Sequence, residues 1–159
     1  DFDEFNELKY KTPNNIKFYH LNSNNKKYPF EDNKFSLVTT FMVLHHITKN
    51  LDFTLTEINR ILKKGGIFMI TEHDNFNKAD DMLADIEHSM WNIVYAKKPN
   101  YDYLKEKHYA IYYNWVEWNI IISKFGFKYV NGGMLSRSIK FNISPTNSFY
   151  GIYQKVKNL

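Results

Sequence analysis

Glu72-His73-Asp74 sets two carboxylates and an imidazole on consecutive positions directly after an apolar run. A histidine that titrates near neutrality suits general-base work, and flanking carboxylates suit orienting an acceptor. The plain alternative is a polar loop in which Asp74 or Asn75 caps the next helix. His45-His46 is a second concentration of imidazole; a ring there can face a reacting group, and at least one of the two is expected to be solvent-exposed or locally bonded. A metal set drawn from His73, Asp74, Glu87 and His88 has suitable ligand types but needs separated segments to converge, so the expectation is no metal. Lys97, Lys98, Lys105 and Lys107 interleave with Tyr95, Tyr101, Tyr103, Tyr109, Tyr112 and Tyr113. That is either a basic stacking surface for single-stranded nucleic acid or a lid or helix whose rings lie in the core.

These residues need elements to position them. Ile16 to Leu21 alternates loosely and runs into the turn cluster Asn22-Ser23-Asn24-Asn25, a short strand and a loop. Phe35 to Phe41 is β-branched and mostly apolar, as in a strand covered on both faces. Leu55, Ile58, Ile61 and Leu62 make one apolar stripe over a helix at 54–62, stopped by Lys63, Lys64 and Gly65. Gly66 to Thr71 is the next strand and delivers Glu72-His73-Asp74 to its carboxyl end. Met82, Ile86, Met90 and Ile93 predict a helix over 79–94, and Leu104, His108, Ile111, Trp115, Trp118 and Ile122 a second one ending at Gly126. Both helices are expected to pack by one side. A strand at 127–130, a Gly132-Gly133 break, a loop through Pro145 and a last strand at 148–156 complete the pattern.

With 159 residues, 43% hydrophobic, the chain has material for one core and one domain. No cysteine occurs, which excludes a disulfide framework, thiolate metal ligands and a cysteine nucleophile. No apolar run approaches the roughly 20 residues of a membrane-spanning helix, and no basic-then-apolar leader opens the chain; a soluble, cytoplasmic protein is the expectation. The net charge of +4 comes almost wholly from lysine, with Arg60 and Arg137 the only arginines, a weak signature for nucleic acid. Asp1-Phe2-Asp3-Glu4 reads as entering a domain partway.

Tyr28-Pro29-Phe30-Glu31-Asp32, Phe35-Ser36-Leu37-Val38, Leu44-His45-His46 and Arg60-Ile61-Leu62-Lys63-Lys64-Gly65-Gly66 stand in order. Together they resemble the second half of the class I S-adenosylmethionine-dependent methyltransferases. Ser36 departs from the family's usual Asp and Lys64 from its usual Pro. The family's Gly-x-Gly-x-Gly loop, which lets backbone approach the cofactor, is not in the chain. The resemblance implies a Rossmann-like α/β three-layer sandwich with a mostly parallel sheet and an antiparallel last strand. Residues 1–159 would form a single partial methyltransferase domain, from the end of the family's second strand through its seventh, lacking the first strand-helix and its glycine-rich loop.

The same resemblance implies S-adenosylmethionine as cofactor. Asp1, with Asp3 as fallback, falls where the family binds the ribose hydroxyls. Asn22 and Ser23 fall at the adenine, while Phe41, Met42 and His45 lie along the methionine part. Glu72, His73 and Asp74 are the catalytic candidates beside the acceptor. The implied activity is methyl transfer to an unidentified small-molecule or RNA acceptor, needing orientation and water exclusion rather than a strong acid-base dyad. Rival readings are a cap-type RNA methyltransferase using the Lys/Tyr segment and a catalytically silent interaction domain. A nicotinamide dehydrogenase is disfavoured by the motifs after the fourth and fifth strands.

Overall fold

The computed structural model describes residues 15–19, 21, 26–94, 110–135 and 146–159. The chain divides into two compact units, Asp1–Glu31 and Asp32–Leu159. Within the first, Tyr19 and Phe30 meet edge to face with ring centroids 4.9 Å apart. Ile16 to Tyr19 and Leu21 form no regular strand, contrary to the alternation. Asn22, Ser23 and Asp1 lie outside the described residues.

The second unit is built on β1 (Phe35–Phe41), a 3-10 turn at Leu44–His46, α1 (Leu51–Ile61), β2 (Leu62–His73), α2 (Lys78–Val94), α3 (Trp115–Ser123), β3 (Phe127–Met134) and β4 (Ser148–Lys155). The sheet order is β1-β2-β4-β3. β1 and β2 are parallel, with α1 between them in the chain, whereas β4 runs antiparallel to both β2 and β3. Three strands therefore point one way and the last strand the other, the α/β arrangement expected.

The register between β1 and β2 shifts sharply at the start: Phe35 faces Leu62 but Leu37 faces Ile67. The extra β2 residues are taken up at Gly65-Gly66. Gly65 has φ 77, and a Cβ on Gly66 would sit 2.8 Å from the Lys63 carbonyl oxygen, so only glycine lets helix pass straight into strand here.

Leu55, Ile58, Leu62, Phe68, Ile70, Trp118, Ile122, Phe127, Phe149 and Tyr153 form the core. On β4 burial alternates residue by residue, placing Phe149, Gly151, Tyr153 and Lys155 inward, as the period-two pleat requires. Phe68 and Phe127 lie 5.3 Å apart by ring centroid. Burying a side chain of this size contributes about 1.5–3 kcal/mol.

Lys155 is a buried charge with a reason. Its Nζ donates to the carbonyls of Asn59 and Leu62 at 2.7 Å each and to Asn33 Oδ1 at 3.2 Å. It closes the negative end of α1. Burial pushes the ammonium below its ordinary range, opposed by Asp32. Asn59 in turn donates to the carbonyls of Phe125 and Lys157. Arg60 grips Glu57 through Nε and Nη2 and Asp32 through Nη1, all at 2.7 Å, so two of the motif residues, Asp32 and Arg60, join the strand entry to α1 by charge-assisted bonds.

Three further features differ from the sequence expectation. Residues 110–114 are not helical, and α3 begins at Trp115; residues 104–109 lie outside the described set. Asn114 explains the start: its side chain accepts from the amides of Val116 and Glu117, and Glu117 accepts from the Asn114 amide. That is a capping box, and it overrides the apolar stepping upstream. Gly132-Gly133 does not break the strand but pairs with Gly151 and Tyr150 inside β3. On α2 the stripe Met82, Ile86, Met90 and Ile93 is exposed, and Ala84 is the buried residue. No helix among the described residues is long and apolar enough to cross a membrane.

Candidate functional site

Because β1, β2 and β3 share a direction, their carboxyl ends emerge on one edge of the sheet, where open α/β sheets place ligands. Phe41 pairs with Thr71, and His73 with Ser148 beside the end of β3. Phe41 is 54% exposed at that edge. Met42 follows in the left-handed region at φ 52, its amide donating to the Thr71 carbonyl at 2.8 Å. A side chain held in that conformation costs on the order of 1–3 kcal/mol, so the turn is over-determined by what grips it.

Glu72 is the grip. It is fully buried, and Oε1 accepts from the amides of Val43 at 3.1 Å and Leu44 at 2.7 Å, while Oε2 meets His45 Nδ1. One carboxylate from the tip of β2 thus fixes the turn that leaves β1. Asp74 acts similarly one strand-end further: it accepts from the Trp115 amide at 2.8 Å and its own amide donates to the Asn147 carbonyl at 3.0 Å. Burial raises its carboxyl above the usual carboxylate range, with the Trp115 amide opposing. His73 is buried with neither ring nitrogen hydrogen-bonded. Burial, then the charge of His45, pushes it down to about 4, against the pull of Glu87 and Glu72, so it is neutral at pH 7.

Phe41, Met42, His45, Glu72, His73 and Asp74 are therefore brought to one edge. Phe41 reaches solvent, but the trio Glu72, His73 and Asp74 turns inward, where the carboxylates serve backbone amides rather than an open acceptor site. The physical reason is that the edge has its own unsatisfied amides, in the turn after β1 and at the start of α3, and the nearest acidic side chains answer them.

A feature the sequence reasoning missed lies behind this edge. His45, His46, His73 and His88 pack with ring centroids between 4.0 and 5.3 Å apart. His88 Nδ1 meets the Tyr112 hydroxyl at 2.9 Å, and that hydroxyl donates to Asp85 at 2.8 Å. Asp85 and His88 are three apart on one helix face, the spacing that marks neighbours; the partnership with His45 is long-range and left no local signal. Tyr113 stacks edge-on against Trp118 at 5.1 Å. Both described tyrosines of the Lys/Tyr segment thus have internal partners, and its residues 95–109 lie outside the described set.

A cavity of about 290 Å³ opens beside Trp115 at the start of α3, along β3 and β4, lined also by Tyr129, Met134, Phe149, Tyr150 and Tyr153 with two glycines; it runs from the mid-strand pair Tyr129–Tyr153 to Met134–Phe149 at the end of β3. Its walls are aromatic and apolar.

Residues 3–70 match the family described as Methyltransferase domain. A ubiquinone/menaquinone biosynthesis C-methyltransferase of Shewanella sp. strain ANA-3 is 29% identical over 93 residues, covering 55% of this chain and 37% of that protein. The chain thus spans little more than a third of the length of that curated relative. Among solved structures, the 1,6-didemethyltoxoflavin N1-methyltransferase of Burkholderia thailandensis, crystallised with 1,6-didemethyltoxoflavin and S-adenosylhomocysteine, superposes with a TM-score of 0.54 at 13% identity, over 79% of this chain and 46% of that one. A SAM-dependent methyltransferase of Thermotoga maritima gives 0.54 at 18% identity, over 82% and 60%.

Proposed function

We propose that this chain, which carries a class I S-adenosylmethionine-dependent methyltransferase domain, serves methyl transfer from S-adenosylmethionine to an apolar, aromatic small-molecule acceptor. The observation that carries the reading is the turn after β1: an exposed Phe41, a left-handed Met42 and a backbone path pinned by buried Glu72. Such a held, strained turn at the carboxyl edge leaves room for a ligand against backbone. These residues fit the methionine part of the cofactor, with Asn22 and Ser23 assigned to adenine and Asp1 to ribose by the resemblance.

Bound there, the cofactor supplies a methyl already activated on a sulfonium. The chain's own residues then have three duties: Phe41 and Met42 flank and shield, Glu72 holds the turn through the Val43 and Leu44 amides, and the aromatic walls from Trp115 to Tyr153 hold an acceptor and exclude water. Glu72 is in this reading a positioning residue rather than a proton acceptor. The aromatic acceptor is supported by that cavity and by the quinone-ring chemistry in the name of the Shewanella relatives. An RNA acceptor has less support, since Tyr112 and Tyr113 are engaged internally.

Calorimetry with S-adenosylhomocysteine on the whole protein tests the cofactor step. Binding is expected, weakened by Asn22→Leu; no binding overturns the proposal. Labelled methyl from S-adenosylmethionine, offered to a panel of phenols and quinols and to RNA, tests the acceptor. Labelling of RNA alone would replace the aromatic reading.

A further inference from the structure

The methyl-transfer reading gives no role to His46 or His88, which pack against His45, and the arrangement of the three calls for a cation. His45, His46 and His88 each offer one ring nitrogen such that the three atoms lie within 4.8 Å of one another. We propose that these three residues bind a divalent transition-metal ion of the zinc type.

The supporting groups are already in place. Histidine ligands ordinarily give their second nitrogen to a carboxylate, carbonyl or hydroxyl, which fixes the tautomer and aims the lone pair. His45 does this with Nδ1 toward Glu72, and its Nε2 is buried with no hydrogen-bond partner. A buried ring nitrogen without a partner is costly, and a cation is the group that satisfies it. The Tyr112 hydroxyl donates to Asp85, so toward His88 Nδ1 it presents a lone pair and accepts. His88 Nδ1 then carries the proton and Nε2 the lone pair. Two separate carboxylate-backed relays, Glu72–His45 and Asp85–Tyr112–His88, support two of the three imidazoles from different elements.

Imidazole donors without thiolate suit zinc, copper or nickel better than magnesium or calcium. Tetrahedral zinc with bonds of about 2.0–2.1 Å holds its nitrogens roughly 3.3–3.4 Å apart, so nitrogens that lie within 4.8 Å of one another close by up to about 1.5 Å on loading. Three protein ligands leave a fourth position. His46 is exposed and His88 half-buried, which places that position toward solvent. The ion would join α2 to the turn after β1, two elements that are far apart in sequence. Asp74 is not part of the set, since its carboxylate serves Trp115, and the cluster differs from the His73, Asp74, Glu87, His88 grouping weighed from sequence alone.

The test needs no methyl donor or acceptor, so it stands or falls separately from the methyl-transfer proposal. The whole protein, stripped with chelator, is titrated with Zn²⁺ against a chromophoric competitor and, in parallel, with Co²⁺ while visible absorption is recorded. One tight equivalent and the intense bands of a tetrahedral cobalt site are expected. His46→Gln, at an exposed position that leaves the core intact, should abolish the bands, and Tyr112→Phe should lower affinity by about 10–100-fold. Circular dichroism of both variants confirms that they fold. No stoichiometric binding, or cobalt bands unchanged in a folded His46→Gln protein, overturns the assignment.

Discussion

Two parts of the second unit both carry apolar stripes, with opposite fates. Around α1, α3 and the inner face of β2 and β4, the apolar residues are sealed: Leu55, Leu62, Phe68, Ile70, Ile122 and Tyr153 are fully buried. On α2 and on β1, Met82, Ile86, Met90, Trp91, Leu37 and Phe41 are all about half exposed or more among the described residues. Periodicity states that a face is apolar; it does not state what covers it. The sealed residues have long-range partners across the sheet, whereas among the described residues α2 is tied to the rest of the unit by polar links such as His88–Tyr112, Asp85–Tyr112 and Thr146–Glu87.

The contrast is open to attack by substitution, beginning with the core. Phe68→Ala should cost about 3–5 kcal/mol in urea unfolding; a loss below about 1 kcal/mol would show that the sealed region is no better packed than the open one. Lys155→Met comes next, at about 1–3 kcal/mol near neutral pH, because the Asn59 and Leu62 carbonyls lose their donor. Its pH behaviour adds a sign. The folded ammonium titrates below its unfolded value, so between those two values the unfolded chain holds more protons and stability rises with pH. Asp32 faces this group and opposes the shift, and Tyr153, pushed up by burial, contributes the opposite slope above its unfolded range. Thermal scans from pH 8 to 10.5 should therefore show the native protein gaining stability relative to Lys155→Met as pH rises, the gap between them widening toward the high end; parallel curves would deny the depression.

Smaller effects mark the boundary between the regions. Asn114→Ala should lose about 1 kcal/mol by removing the cap of α3, detectable as a shift in the urea midpoint. Met90→Ser should stay within about 0.5 kcal/mol. A loss of 2 kcal/mol or more there would mean that α2 is covered in solution and that the two regions are alike.

Much of the fold was legible from local chemistry. β1 lies where its β-branched run stands, α1 stops ahead of Gly65, and β4 occupies the stretch expected as the last strand, since each signal acts within a few residues. The start of α3 was misjudged because an apolar stepping of four and three continued upstream through His108 and Ile111, and the Asn114–Glu117 box outweighs it. At the site, the edge itself followed from strand direction. What sequence did not reveal is the inward turn of Glu72 and Asp74, and the meeting of His45 with His88. Both depend on which amides and rings arrive from elsewhere, contacts spanning 28 residues for Glu72 to Leu44 and 41 for Asp74 to Trp115, and neither partner announces the other.

The tie from Lys155 back to α1 also has a temporal side. The Nζ bonds to Asn59 and Leu62 span 96 and 93 residues, so a ribosome making this protein exposes the helix long before its closing cation is synthesised. During that interval the nascent helix end is bare, and its protection falls to water or to a chaperone.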